Sequence, residues 1–129
     1  MRAAVLSART LGYSTGPSGV ALAQLFARWG IAEQIHSHIV TPPPGIPVGS
    51  LVAQGEVELG FQQLSELINL DGITVLGPLP PAIQIITTFS AGICASSQQA
   101  TAVRAMLADM NSPEAAAAKL RQGMEPCLI

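Results

Sequence analysis

Apolar residues recur along the first thirty positions with the spacings of a strand and then of a helix. Leu11 to Thr15 predicts a short strand, and Ser18 to Trp29 has the apolar period of an amphipathic helix, which Gly30 would end. The positions predicted to face the core are Val20, Leu22, Ala23, Leu25, Phe26 and Trp29. The pattern therefore predicts a strand–loop–helix unit.

Strand-like and helix-like segments continue to alternate up to residue 76. The predicted elements are a strand at Ile39 to Thr41, a helix at Val48 to Gln54, a strand at Leu59 to Gln62, a short helix at Gln63 to Leu70 and a fourth strand at Thr74 to Leu76. This order is typical of an α/β fold with three layers, a sheet flanked by helices, in which ligands bind near the strand-to-helix loops.

After Pro81 the pattern changes. Extended segments are predicted at 83–90 and 92–95, followed by helices at Gln98 to Met110 and Pro113 to Gln122. Ser112 is suited to cap the last helix, with a first-turn proline behind it. We therefore assign residues 1–90 to an α/β lobe and residues 91–129 to an extended segment with two helices.

The composition of the chain is unusual in its small share of charged residues. The chain has 129 residues, of which 49% are apolar and 11% are charged, against about a quarter charged in an average globular protein. One domain, or one domain with an appendage, fits this length. Because so little of the surface is charged, we expect part of the apolar surface to contact another chain.

The net charge and the hydropathy of the chain argue against some classes of partner. The net charge is −2 and the basic residues form no cluster, which argues against nucleic acid. No apolar run approaches the ~18 residues of a membrane span, and the apolar stretch near the N-terminus is shorter than the ~7 residues of an export signal. As written, the chain would therefore stay in the cytoplasm. Cys94 and Cys127 lack C-x-x-C spacing and are interpreted as structural.

The loop from Tyr13 to Gly19 is the strongest candidate for a binding site. Hydroxyl side chains and glycines stand where a strand would pass into a helix, so free N–H groups and the helix dipole would converge there. Ser14, Thr15, Ser18 and Gly19 are the predicted ligands of a small anion. The alternative is that Ser18 is only an N-cap.

Groups suited to catalysis or metal binding are scarce. Glu66 could act as a base, but an acid at a helix start more often complements the dipole. His36 and His38 are the only histidines and have no third ligand at a recognisable spacing. The Walker lysine and the G-x-G-x-x-G pattern are both absent. We therefore predict no metal, no cofactor and no catalytic residue.

Three motifs in order resemble the periplasmic substrate-binding proteins of molybdate-type ABC transporters, which have the type II periplasmic-binding fold. They are Ser18-Gly19 at a helix start, Gly55-Glu56-Val57-Glu58-Leu59-Gly60 after a second helix, and Ser112-Pro113-Glu114-Ala115 at a C-terminal helix. The resemblance covers the second lobe and the C-terminal part of that family.

The resemblance implies an oxyanion clamp. Carried over by position, backbone N–H groups would come from Ser18 and Gly19 and from Gly45 and Ile46, and a side chain from Gln63. Molybdate binders have a tyrosine at that last position, whereas this chain has the two amides of Gln62 and Gln63, which donate and accept hydrogen bonds. This departure favours a carboxylate over molybdate.

Three functions follow from the resemblance. The first is a small-anion solute-binding protein of an ABC uptake system, which would meet a permease. The second is an isomerase of a polycarboxylic acid resembling aconitate isomerase, which shares the scaffold. The third is a non-binding oligomeric remnant.

Family members are exported and carry a signal peptide and a first lobe ahead of the region that resembles this chain. We therefore expect a periplasmic location by resemblance. We also expect a homo-oligomer, including one with exchanged C-terminal elements, or else a gene fragment whose natural context includes the other lobe.

Overall fold

The computed structural model describes residues 1–127, and the chain forms two compact units, Met1–Ile85 and Ile86–Ile129. The first unit contains helices α1 (Arg2–Ser7), α2 (Pro17–Arg28), α3 (Ala32–Ile35), α4 (Val48–Ala53) and α5 (Leu64–Leu67), strands β1 (Leu11–Tyr13), β2 (Ile39–Val40) and β3 (Leu59–Phe61), and 3-10 turns at His36–His38 and Pro81–Ile83. The second unit contains helices α6 (Ala100–Asp109) and α7 (Pro113–Arg121).

The three strands form a parallel sheet in the order β2-β1-β3. Leu11 is level with Ile39 on one side and with Leu59 on the other, and Tyr13 is level with Phe61. The predicted α/β fold with helices around a sheet is therefore confirmed, and the central strand is the one that leads into the predicted anion loop.

Helix α2 supplies most of the core on its side of the sheet. Leu22, Leu25 and Phe26 are buried there, and the Phe26 ring lies 6.0 Å from the ring of Tyr13 and 6.2 Å from that of Phe61. Ala23 and Trp29 are partly buried, whereas Val20 is 53% exposed. The prediction that Val20 faces the core is wrong.

A second group of apolar side chains packs where α4 approaches the sheet. Val48, Leu51 and Val57 are buried, and a Cβ on Gly60 would lie 2.7 Å from Val52 Cγ2. Glycine at this strand position therefore lets α4 approach the sheet more closely than a side chain would allow.

The structure corrects several predicted elements. Thr74 to Leu76 form no strand, and residues 83–95 form none either, Ile83 being the last residue of the 3-10 turn Pro81–Ile83. Leu76 is 82% exposed and Phe89 is 66% exposed. An apolar run becomes a strand only where a neighbour pairs with its N–H and C=O groups, and the described residues offer none here. Helices α1 and α3 were not predicted.

The remaining boundaries agree within a few residues. Gly30 follows α2 with φ of 68°, which glycine adopts at little cost. The Ser112 Oγ accepts a hydrogen bond from the Ala115 N–H at 3.1 Å, so the predicted N-cap of α7 is confirmed. Within residues 1–127, no helix has both the length and the apolar character needed to cross a membrane.

Glu58 connects the beginnings of β1 and β3. Its carboxylate accepts the Arg9 N–H at 2.6 Å, and its own N–H donates to Thr10 Oγ1 at 2.8 Å. The Arg9 Nε lies 3.5 Å from the same carboxylate. The backbone hydrogen bond from Arg9 is the main reason that the pKa of Glu58 is held below its ordinary value.

We predict that Glu58→Gln reduces the free energy of unfolding at pH 6 and that its difference from the parent shrinks at pH 3. A lowered folded-state pKa stabilises the protein above the ordinary carboxyl pKa, and this contribution is lost as the pH falls through the lowered value. Urea unfolding at both pH values measures it. Glu56→Gln, at an exposed glutamate, is the control; an equal pH response in the two variants would contradict the role given to Glu58.

Candidate functional site

The turn from β1 into α2 presents backbone N–H groups. Gly16 is the N-cap of α2, Pro17 occupies the first helical position, and no side chain of the described residues caps the helix. The first intrahelical bond is donated by the Val20 N–H to the Gly16 carbonyl at 3.1 Å. The N–H groups of Ser18 and Gly19 precede it, so the helix leaves them for a partner outside its own turn.

Two serine hydroxyls lie beside this helix start. Ser14 Oγ and Ser18 Oγ are 3.2 Å apart, with either one able to donate. The buried Gly19 holds the loop close, because a Cβ at this position would lie 1.6 Å from the Ser14 carbonyl oxygen. The hydroxyl pair therefore depends on residue 19 having no side chain.

A cavity of about 290 Å³ opens against this loop. Its walls come from the end of β1, the start of α2 and the end of β2, and are formed by Tyr13, Ser14, Thr15, Gly19, Val20, Ala23, Ile39 and Thr41. The loop side of the cavity is polar, and the opposite walls are largely apolar.

Tyr13 is the one titratable side chain among these wall residues. Burial raises the pKa of its phenol above the ordinary value, so at neutral pH the phenol is protonated and able to donate a hydrogen bond. The wall contains no carboxylate to repel an anion and no lysine or arginine to pair with one. An anion in this cavity would therefore be held by hydroxyl and N–H donors.

The structure brings half of the predicted site together. Ser14, Thr15 and Gly19 line the cavity, and Ser18 contacts Ser14. The other predicted residues, Gly45, Ile46, Gln62 and Gln63, are absent from its wall.

Gly45 and Ile46 do not lie at a helix start. The Ile46 N–H donates to the Pro43 carbonyl at 3.0 Å in a turn, and α4 begins only at Val48. The helix start predicted at Val48 is confirmed, so the N–H groups of Gly45 and Ile46 lie in the turn before α4.

Gln62 and Gln63 follow β3, on the other side of the central strand. Gln62 Oε1 accepts the Gly49 N–H at 3.1 Å, so this carboxamide ties the first turn of α4 to the sheet. Gln63 is the N-cap residue of α5, with its side chain making no capping bond. Their role as ligands remains a prediction.

Val20 and Thr41 are wall residues that the sequence analysis did not assign to the site. Thr41 could have been found, since it directly follows β2, and the register that sets Gly12 level with Val40 brings the next residue beside Tyr13. Val20 was assigned to the core wrongly on the basis of its spacing. Its helical spacing matches the core positions, yet it borders the cavity and not the core.

The other candidate residues lie apart from this cavity. Glu66 is exposed and His38 is partly buried, with a buried Nδ1 that has no hydrogen-bond partner. His36 borders a second cavity of about 160 Å³, with Tyr13, Ala23, Phe26, Ala32, Ile35 and Ile39. Cys94 and Cys127 are free and exposed, so neither is a core residue as expected for a structural cysteine.

Comparison with known proteins identifies similar sequences. The profile of a family described as bacterial extracellular solute-binding protein matches residues 2–125. Aconitate isomerase of Pseudomonas sp. is 38% identical over 120 residues, which are 92% of this chain and 45% of that protein. The chain thus spans about half the length of this curated relative. No solved structure gives a significant match.

We predict that Gly19→Ala lowers the free energy of unfolding by about 1–3 kcal/mol, because its methyl group would overlap the Ser14 carbonyl and displace the loop. Gly92→Ala is the control, since a Cβ there would have nothing within 4 Å and the backbone conformation is open to any residue. Urea unfolding of both variants measures the effect. Equal losses would contradict the close approach at residue 19.

Proposed function

Because the chain belongs to the bacterial extracellular solute-binding protein family, we propose that its first unit binds a small carboxylate anion at the β1–α2 loop. The observation that carries the proposal is the Ser14–Ser18 hydroxyl pair beside the uncapped start of α2, at the mouth of a cavity. Carboxylate oxygens would accept from the N–H groups of Ser18 and Gly19 and from these hydroxyls.

The cavity walls favour a carboxylate over an inorganic oxyanion such as molybdate. Val20, Ala23 and Ile39 supply apolar surface to the wall. An organic acid has carbon surface to place against them, whereas a fully oxygenated dianion would lose hydration there without gaining a donor. The ligand is therefore proposed to have a carboxylate head and a carbon body.

A second candidate is an isomerase of a polycarboxylic acid, which the likeness to aconitate isomerase favours. Isomerisation that moves a proton needs a group to accept it. Tyr13 is the titratable wall residue, and burial keeps its phenol protonated, so it is suited to donate. Glu66, the base considered from the sequence, is exposed and lies outside the wall. Binding is thus the better supported function.

The family also supports a proposal about the location and the partner of this protein. Extracellular solute-binding proteins work outside the cytoplasm, so we propose a periplasmic location and delivery of the ligand to an ABC permease. The location and the permease partner are properties of the family and are proposed for this chain.

We predict that Ser18→Ala weakens binding of cis-aconitate, trans-aconitate or citrate about tenfold or more, since a hydrogen bond to a charged group is worth about 1.5–3 kcal/mol. Isothermal titration of the full chain measures this, with molybdate as the competing class. Ser7→Ala is the matched control, because Ser7 Oγ bonds the Ala4 carbonyl on α1, away from the cavity.

Binding and conversion measurements together separate the binding protein from the isomerase. Glu66→Gln should leave binding unchanged. Conversion of cis- to trans-aconitate, followed by proton NMR, would favour the isomerase, and abolition of that conversion by Glu66→Gln would contradict its placement outside the site. Equal affinity of the Ser18→Ala variant and the parent for every acid would contradict the proposed function.

We also propose that residues 1–90 hold the ligand, while residues 91–129 contact a second copy in a homo-oligomer, including by exchange of the C-terminal helices. The support is that Met106 on α6, Met110 directly after α6 and Leu120 on α7 are 55%, 49% and 59% exposed. Native mass spectrometry should give a mass of two chains or more, and a single-chain mass at micromolar concentration would contradict the oligomer.

A further inference from the structure

The run from Gln84 to Ser90 has the composition of a β-strand but no strand beside it. β-Branched residues predominate in it, and it contains neither glycine nor proline. The backbone neither turns nor bends over these residues, and Gln84 is extended, with φ of −61° and ψ of 134°. Among residues 1–127, the backbone groups of this run form no hydrogen bond with other backbone groups. Its N–H and C=O groups are therefore available for pairing.

The side chains of this run lie mostly in solvent and carry no charge. Ile86 is 75% exposed, and Thr87, Thr88 and Phe89 are exposed as well. No charged residue occurs between Asp71 and Arg104. The run therefore lacks the charged side chains, lysine above all, with which proteins commonly prevent an exposed strand from pairing with another chain.

The lengths of the available strands indicate what could pair with this run. Strands β2 and β3, at the two edges of the parallel sheet, have two and three residues, too few to pair along its whole length. The unpaired segment 73–76 is followed at once by Gly77 and Pro78, which disfavour a strand. Within residues 1–127, the matching length is therefore that of the same run in a second copy. Because the run is uncharged, no like charges would oppose each other in that pair.

We propose that the run from Gln84 to Ser90 pairs antiparallel with the same run of a second copy, with the two copies of Thr87 opposite each other. Antiparallel pairing is what a two-fold axis gives, since both copies then use the same surface. Thr87 is the middle residue of the run, so this register pairs the run over its whole length. The proposal is independent of the anion site. It differs from the oligomer proposed above because backbone hydrogen bonds of this run, and not α6 and α7, hold the copies together.

The same register matches side chains across the pair. Ile86 would lie opposite the partner's Thr88, and Ile85 opposite the partner's Phe89. Pairs of β-branched residues, and of a β-branched with an aromatic residue, stabilise a sheet. Because successive side chains point to opposite faces, the two pairs would cover apolar surface on both faces of the strand pair.

A disulfide at residue 87 tests the register. Opposed residues of an antiparallel pair have Cα atoms about 4.5–5.5 Å apart, a distance that a disulfide spans. In a chain whose free Cys94 and Cys127 are replaced by serine, Thr87→Cys should form a disulfide-linked dimer on mild oxidation, detected by non-reducing electrophoresis. Ser90→Cys in the same background is the matched control, because the two copies of residue 90 would lie about 20 Å apart. Equal rates of cross-linking in the two variants, or no dimer in either, would overturn the pairing.

Native mass spectrometry and hydrogen exchange of the full chain measure the pairing itself. A dimer should form at micromolar concentration, and part of the N–H groups of the run should exchange about tenfold or more slowly than after dilution to the monomer. Hydrogen-bonded and non-hydrogen-bonded pairs alternate along an antiparallel ladder, so Thr87→Pro or Thr88→Pro removes a hydrogen bond between the copies and should abolish both effects. Thr74→Pro, at an exposed threonine outside any helix or strand, is the matched control.

The outcomes separate this proposal from the others. A dimer that survives both proline substitutions, with the run unprotected, would overturn the strand pair and favour contact through α6 and α7. Protection of the run in a single-chain species would overturn the second copy as its partner, and a single-chain mass without protection would overturn both forms of oligomer. Cross-linking of Thr87→Cys decides the matter if the proline variants fail to fold. None of these measurements uses a ligand, so failure of anion binding would leave their result unchanged.

Discussion

Helix α2 begins in contact with the end of the strand that precedes it, and this close approach determines the candidate site. A Cβ on residue 19 would lie 1.6 Å from the Ser14 carbonyl oxygen, so only glycine permits the observed path. The approach sets Ser14 against Ser18, at 3.2 Å between hydroxyl oxygens. It also brings the start of the helix, whose first N–H groups have no partner within the helix, next to the end of β1. Steric contact, not charge, thus creates the geometry that we propose binds an anion.

The parallel sheet supplies the rest of the site. Because β1 lies between β2 and β3, the residues that follow all three strands meet at one edge. Thr41 follows β2 and enters the cavity wall beside the β1 loop. Gln62 follows β3, where its carboxamide instead accepts the Gly49 N–H. One neighbour of the central strand therefore contributes to the cavity, and the other stabilises the first turn of α4.

Local sequence signals predicted most helices and strands of the chain, but they missed the short helices α1 and α3 and failed where a strand depends on a distant partner. The strand at Leu11, helix α2 and the cap at Ser112 follow from periodicity and from hydrogen bonds within a few residues. Thr74 to Leu76 have strand-like composition, but pairing needs a neighbouring strand, which composition does not reveal. Val20 was misassigned for a related reason, since periodicity marks an apolar face without showing whether protein or a cavity covers it. The loop residues of the site were predicted, whereas the wall from β2 required the strand register.

The cavity wall includes no lysine or arginine. This affects which anions the loop could bind. A lysine or arginine would attract any anion at long range, whereas N–H and hydroxyl donors act over hydrogen-bond distances and depend on shape. The partly apolar wall adds a requirement for carbon surface. Together these features favour a site that would select its ligand by shape and hydrogen bonding over one that would select it by charge. If the proposed carboxylate binds here, the site would discriminate among organic acids by the body attached to the carboxylate, because the head would be bound alike in all of them.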